Sequence, residues 1–173
     1  MTSLNTRCPT IVFKEFPLID PGTIGQLTAT KDERLNRSEY YYGDTTRNLV
    51  ALFVRDVASH FLEAHGFPHR KDIWYMDCIQ YNLHNDTKPV TSGLAWHCEN
   101  DNYPDLITVL LYLRKDEGIK DGNLRYKDKY NKQYTIEITS GTTIIMDGMV
   151  QHKPQDPYGS GKRDLLIVSF RKI

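Results

Sequence analysis

A chain of 173 residues is long enough for one domain with a buried core and leaves no room for a second. Its 22 Lys and Arg balance 22 Asp and Glu, which excludes an overall field that would recruit nucleic acid. Three cysteines, Cys8, Cys78 and Cys98, show no paired spacing, which argues against a disulfide framework or a structural zinc site and for a reducing compartment. Residues Met1 to Arg7 lack the basic-then-apolar layout of a secretory signal. The longest apolar-rich run, Leu106–Leu113, is too short to span a bilayer. A soluble, intracellular, cytoplasmic protein is expected.

In chain order, residues 10–19 predict an edge strand stopped by Pro17. Residues 20–42 are rich in turn formers and charge and predict loop, with at most a short strand. Tyr40, Tyr41 and Tyr42 are expected to pack at the domain's edge with their hydroxyls in water. Asp44 or Thr45 can cap a helix whose apolar positions Leu49, Val50, Phe53, Val57, Phe61 and Leu62 recur at three- and four-residue steps. Its end is expected near Gly66, with Pro68 beyond, and its place on the outside of a sheet. His60, His65 and His69 lie in or after it, but Gly66 and Pro68 interrupt the only useful spacing, so no metal role falls to them.

From Ile73 the texture changes to strands separated by turn signals; we count eight, at about 73–82, 93–98, 106–113, 123–127, 133–138, 142–147, 150–153 and 164–171. Gly141 and the pair Asp147-Gly148 mark tight turns. Residues Arg114 to Lys132 hold seven Lys or Arg against four Asp or Glu, a modest excess that suits a solvated hairpin. Antiparallel strands in this number with one helix predict a mainly β fold, a double-stranded β-helix or jelly roll of the cupin kind. Residues 1–173 would form a single domain, with 1–72 giving the edge strand, loop and supporting helix and 73–173 the jelly-roll core.

Three short pieces carry the chemistry: Trp96-His97-Cys98-Glu99, Val150-Gln151-His152 and Gly161-Lys162-Arg163. At an extended strand end, side chains at i and i+2 leave the same face. His97 and Glu99 would then project together while Trp96 and Cys98 point away, and Asp101 shares that face as the fallback carboxylate. His152, from a distant strand, would complete two imidazoles and one carboxylate, leaving positions of an octahedral ion open. That donor set leaves a divalent ion net positive and favours an anionic chelating partner. Arg163 opens the apolar run Leu165 to Phe170, and its planar fork of donors matches a carboxylate bidentately.

This combination resembles the iron(II)- and 2-oxoglutarate-dependent oxygenases over about residues 73–172. The family's His-x-Asp/Glu, distal His and an Arg some ten residues further on are met by His97, Glu99, His152 and Arg163. Leu111-Tyr112-Leu113, followed by a polar loop and Gly122-Asn123-Leu124-Arg125-Tyr126, is similar to the family's third and fourth core strands. Order and spacing are closest to the prolyl-hydroxylase-like branch. Glu99 replaces the commoner Asp, Asn123 stands where a second glycine is usual, and Arg163-Asp164-Leu165 replaces an Arg-x-Ser motif found in some members. The last departure leaves the second polar contact to 2-oxoglutarate unassigned.

The resemblance implies Fe(II) on His97, Glu99 and His152, with 2-oxoglutarate held by Arg163. It also implies a helping hydroxyl from Tyr112, and Tyr81 is a further residue that can reach the cosubstrate or substrate. No catalytic side chain is expected beyond the metal ligands. Gln80, Asn82 and residues 83–93 would form lids. The implied reaction consumes O2, converts 2-oxoglutarate to succinate and CO2, hydroxylates a C–H bond and is stimulated by ascorbate. A peptide or protein side chain is the favoured substrate. The alternatives are a nucleic-acid base, a free amino acid, or a non-catalytic cupin-like module that only binds metal.

Overall fold

The computed structural model describes residues 10–14, 30–32, 38–41, 49–66, 74–85, 94–98 and 106–172, with side chains for 12–14, 53, 56–66, 94–98 and 106–170. The described strands are β1 (Thr10–Phe13), β2 (Thr30–Asp32), β3 (Ser38–Tyr41), β4 (Trp74–Asn85), β5 (Leu106–Lys115), β6 (Ile119–Asp121), β7 (Leu124–Lys127), β8 (Gln133–Ile136), β9 (Thr143–Asp147), β10 (His152–Pro154), β11 (Pro157–Gly159) and β12 (Lys162–Lys172). One described helix, α1, spans Leu49–Ala64. The strands form a seven-stranded sheet in the order β1-β9-β5-β12-β4-β3-β2, a three-stranded sheet β10-β7-β8 and a two-stranded pair β11-β6.

The two larger sheets close on a shared apolar filling. From the large sheet come Leu110 and Tyr112 of β5, Ile144 and Met146 of β9 and Leu165 of β12; facing them are Leu124, Ile136, Ile138 and Val150. Each such side chain contributes roughly 1.5–3 kcal/mol when fully removed from water. Strand β5 is apolar almost throughout because both of its faces are covered: Leu111 and Tyr112 are both buried, although they point to opposite sides. The result is the expected jelly roll.

The expected helix ends where glycine permits it, with Gly66 in the left-handed region at φ 81°. The capping residues Asp44 and Thr45 lie outside the described residues. Ala58, Phe61 and Leu62 are buried, whereas Phe53, placed on the same apolar stripe by its spacing, stays 48% exposed. Among the described residues the helix meets the sheet through its C-terminal turns. There Phe61 packs edge-on to Phe13 of β1, at 5.5 Å between centroids. His65 lies against both rings, 4.1 Å from Phe13 and 4.2 Å from Phe61, and its Nδ1 donates to the Phe61 carbonyl at 2.8 Å. That is a packing role.

Four expectations change. Residues 20–42, expected as loop with at most a short strand, hold two paired strands, β2 and β3. The edge strand ends at Phe13, well before Pro17, and pairs with β9. The 93–98 segment is no strand: it makes a single bridge at His97. The pair β6–β11 was not foreseen, because Ile-Lys-Asp and Pro-Tyr-Gly are too short to show alternation and the second carries strand breakers.

The basic segment is not one hairpin: it runs from the end of β5 through β6, which pairs with β11, to β7, and only its last part, residues 124–132, forms a hairpin, completed by β8. At its tip Asp128 accepts hydrogen bonds from the backbone N–H groups of Tyr130 (2.8 Å) and Lys132 (3.0 Å) and from the Tyr134 hydroxyl (3.1 Å). Desolvation pushes the carboxyl up, but those three donors and the Lys132 charge outweigh it and hold the pKa below the ordinary 3.8. A depressed carboxyl stabilises the fold above its unfolded pKa and loses that contribution as pH falls through the folded value. Asp128→Ala is therefore expected to melt below the parent protein at pH 7, with the gap closing once the pH drops under the ordinary carboxylate range; thermal denaturation across pH checks this.

Candidate metal and cosubstrate site

His97 and His152 meet because their backbones do. The two residues form an antiparallel bridge in which His97 N–H donates to the His152 carbonyl at 3.0 Å and His152 N–H to the His97 carbonyl at 2.9 Å. Residues that exchange both bonds carry their side chains on one side of the sheet. Their rings accordingly stand 4.3 Å apart between centroids, tilted by 57°. His152 is almost fully buried, at 2% exposure, and His97 is half-buried.

Both imidazoles are oriented by the same device. His97 Nδ1 donates to the Ala95 carbonyl at 2.9 Å, and His152 Nδ1 donates to the Val150 carbonyl at 3.0 Å. A carbonyl oxygen can only accept, so Nδ1 carries the proton in each ring and the lone pair sits on Nε2. This is the tautomer a metal ligand needs, fixed by an outer hydrogen bond as ligating histidines usually are.

The same contacts explain why no strand forms here. The next hydrogen-bonded pair on one side would be Ala95 with Pro154, but proline has no N–H to give and the Ala95 carbonyl already receives His97. On the other side Val150 N–H goes to Asp147 and its carbonyl to His152. Among the described residues the ladder therefore stops after one bridge. Glu99 and the fallback Asp101 lie outside the described residues. Among the described residues no group of three His, Cys, Asp or Glu could hold a metal ion.

Trp96 and Cys98 have other work. Lys127 Nζ sits 4.6 Å from the centre of the Trp96 ring, and the Cys98 thiol reaches the Met149 carbonyl at 3.4 Å.

Arg163 lies deeper, at 3% exposure, near the start of β12. Its Nη2 donates to the Gly122 carbonyl at 3.1 Å, and its Cζ lies 4.9 Å over the Tyr112 ring. Tyr112, expected to offer its hydroxyl, thus meets the guanidinium with its face, a cation–π contact. Tyr81 is in β4, paired with Leu166 of β12 and Tyr40 of β3; its side chain lies outside the description. Of the expected lid, Gln80, Asn82 and residues 83–85 fall in β4 and 86–93 lie outside the described residues.

The two centres are joined by β7. Tyr126 is the register partner of His152, and Gly122, which holds Arg163, is four positions earlier in the chain. Tyr126 also stacks on Tyr134, at 5.2 Å and 19°, which gives this wall a flat aromatic lining.

No family model and no curated protein sequence matches the chain. Its shape does match solved structures. A 2OG-Fe(II) oxygenase family oxidoreductase from Burkholderia pseudomallei superposes with a TM-score of 0.69 at 12% identity, over 94% of this chain and 84% of that one. HygX from Streptomyces hygroscopicus, solved with nickel and 2-oxoglutarate bound, gives 0.62 at 11%, over 95% and 83%. A prolyl hydroxylase from Trichoplax adhaerens, in complex with a hypoxia inducible factor oxygen degradation domain peptide fragment, gives 0.62 at 14%, over 94% and 83%.

Gly122 offers a local test of this arrangement. Its φ of +69° favours glycine, and a Cβ there would stand 3.0 Å from Arg163 Nε and 3.1 Å from Pro157 Cβ. Gly122→Ala is expected to cost about 1–2 kcal/mol of stability from the left-handed backbone alone. By displacing Arg163 it should also weaken anion binding, a pairing of effects measurable by thermal denaturation and calorimetric titration of 2-oxoglutarate. The fold that carries this site is the jelly roll of the 2-oxoglutarate- and iron(II)-dependent oxygenases, prolyl hydroxylases among them.

Proposed function

We propose that this protein is an Fe(II)- and 2-oxoglutarate-dependent dioxygenase that hydroxylates a C–H bond of a peptide or protein side chain. The observation that carries the reading is the His97–His152 pair: two imidazoles side by side, each with its proton committed to a backbone carbonyl at Nδ1. His65 makes the same Nδ1 bond in a packing role, so what supports a metal reading is that these two rings stand side by side. The donor set fits a ferrous ion, with His97 and His152 as ligands and Glu99, or Asp101 in its place, supplying the carboxylate. Bound there with 2-oxoglutarate and O2, the ion would supply the oxidising power for C–H hydroxylation, with succinate and CO2 released.

The chain's own residues do the binding and orienting. Arg163 presents a permanently charged fork to the distal carboxylate of the cosubstrate, steadied by the Gly122 carbonyl and the Tyr112 ring. The apolar filling that begins at Leu165 and Leu124 excludes water behind it, which strengthens that charge pairing. The Ala95 and Val150 carbonyls accept from Nδ1 of each ring and so direct ligation to Nε2. Tyr126 and Tyr134 form a flat wall beside His152, suitable for an apolar ring or the face of a peptide side chain. Support for a peptide comes from the Trichoplax adhaerens neighbour, whose structure contains one.

His152→Ala is expected to abolish succinate production from 2-oxoglutarate, and full turnover in that variant would sink the reading. Arg163→Ala should weaken 2-oxoglutarate binding by about 10- to 100-fold, the value of a charge-assisted contact, while iron affinity stays close to the parent's. Anaerobic titration of each component separates the two effects. The substrate class is decided by incubating iron-loaded protein with peptides, nucleosides and amino acids and looking for the mass of one added oxygen.

A further inference from the structure

The three-stranded sheet β10-β7-β8 has two faces of different character. Leu124 and Ile136 point into the core and Tyr126 packs against it, with His152 in register beside Tyr126. Alternation along the strands then sends Arg125, Lys127 and Lys153 to the opposite, outward face. Arg125 is the register partner of Lys153 on one side and of Thr135 on the other, and Lys127 is the partner of Gln133. Arg125, Thr135, Gln133 and Gln151 are exposed, while Lys127 and Lys153 are half-buried. Three cations thus share a flat face with amides and a hydroxyl.

Among the described residues no carboxylate pairs with any of the three. Lys127 Nζ donates instead to Gln151 Oε1 at 3.4 Å and sits 4.6 Å from the centre of the Trp96 ring. Asp128, at the hairpin tip, has its oxygens taken by Tyr130, Lys132 and Tyr134. Glu137 and Asp156 follow the ends of β8 and β10, away from the histidines. Like charges placed directly opposite each other on a sheet repel, and Arg125 stands opposite Lys153. On a chain whose 22 basic residues equal its 22 acidic ones, this face is therefore a local field of one sign.

We propose that the outward face of β10-β7-β8 is a docking surface for an acidic polypeptide segment, whose carboxylates meet Arg125, Lys127 and Lys153. The exposed guanidinium of Arg125 offers a carboxylate two parallel donors, and the two ammonium groups flank it as point charges. A single-stranded nucleic acid fits less well, because it binds by stacking bases on aromatic faces set out for them. Here Trp96 turns one face to Lys127, Tyr130 lies 5.0 Å from Lys129 Nζ, and Tyr126 and Tyr134 stack on each other. Charge rather than an open ring is what this surface presents. It adjoins the imidazole pair, since Lys153 follows His152, Lys127 follows Tyr126 and Trp96 precedes His97. The surface is independent of the iron chemistry proposed above.

The test uses the full chain and three labelled probes, a deca-glutamate peptide, a deca-lysine peptide and deca-thymidylate, each followed by fluorescence anisotropy. The glutamate peptide is expected to bind, with an affinity that falls as ionic strength rises, and the lysine peptide to stay free. Arg125→Glu should weaken the glutamate peptide by about 10-fold or more, and Arg125→Lys should keep most of the binding. Lys120→Glu reverses an exposed cation on β6, outside this face, and should leave the affinity close to the parent's. No binding of the glutamate peptide overturns the proposal, and so does an equal loss in Arg125→Glu and Lys120→Glu, which would mark a general charge effect. Tighter binding of deca-thymidylate that Arg125→Glu abolishes also overturns it, in favour of nucleic acid. Should Arg125→Glu not fold, Arg125→Ala against Lys120→Ala gives the same comparison. The probes are read without iron or 2-oxoglutarate, so a failure here leaves the oxygenase reading as it stands.

Discussion

One pair of backbone hydrogen bonds, exchanged between His97 and His152, sets what the open end of this barrel can do. A full ladder at this place would have buried both histidines in an ordinary sheet. Instead each imidazole takes up the carbonyl two residues before it. Those carbonyls, of Ala95 and Val150, belong to the residues that would have formed the next hydrogen-bonded pairs on either side. The contacts that orient the rings are therefore the ones that halt the strand. Positioning by backbone is rigid, because moving either ring means breaking a paired bridge inside a closed structure, and it costs no long side chain its freedom.

The other end is built by different means. Arg163 reaches its place from a strand that pairs along its length with both β4 and β5, so its Cα is fixed by two neighbours at once. Its head group is then steadied by a loop glycine and an aromatic face. Burying a guanidinium carries a desolvation penalty of several kcal/mol unless charge and hydrogen bonds offset it. In the proposed reading the cosubstrate carboxylate supplies part of that compensation.

Much of this was legible in the residues, and what was not has a physical cause. His97, His152 and Arg163 stood out by their order and spacing together with Glu99, and Gly122 as the first residue of the motif Gly122-Asn123-Leu124-Arg125-Tyr126. The jelly roll followed from short apolar runs set apart by turn residues. The register of β5 could not be read: Leu111-Tyr112-Leu113 is apolar at every position, since both faces of the strand are covered, and a bulge in such a run leaves no break in pattern. For that reason Lys115 passed as one more charge in a solvated hairpin. The segment at 93–98 misled in the opposite sense. Its alternation suits a strand, but alternation carries no information about whether the partner can donate, and Pro154 cannot.

A β-bulge in β5, which skips Leu113 so that Tyr112 faces Leu165 and Arg114 faces Asp164, accounts for an unfavourable feature of the sheet. Asp164, between Arg163 and Leu165 on β12, points to the opposite face, is fully buried and pairs with Arg114 at 2.6 Å. Burial raises its pKa above 3.8 even though the Arg114 charge pulls the other way. A raised carboxyl favours the protonated folded state, so the ionised group costs stability once the pH rises past its ordinary value. A hydrophobic residue in its place would avoid that cost. Yet the skipped Leu113 that turns Lys115 inward is what sets Arg114 opposite Asp164 on the outer side. A cation directed outwards at this position, on a buried face, needs a carboxylate across from it. One irregularity thus sorts two adjacent basic residues onto opposite faces, and Asp164 balances the outer one.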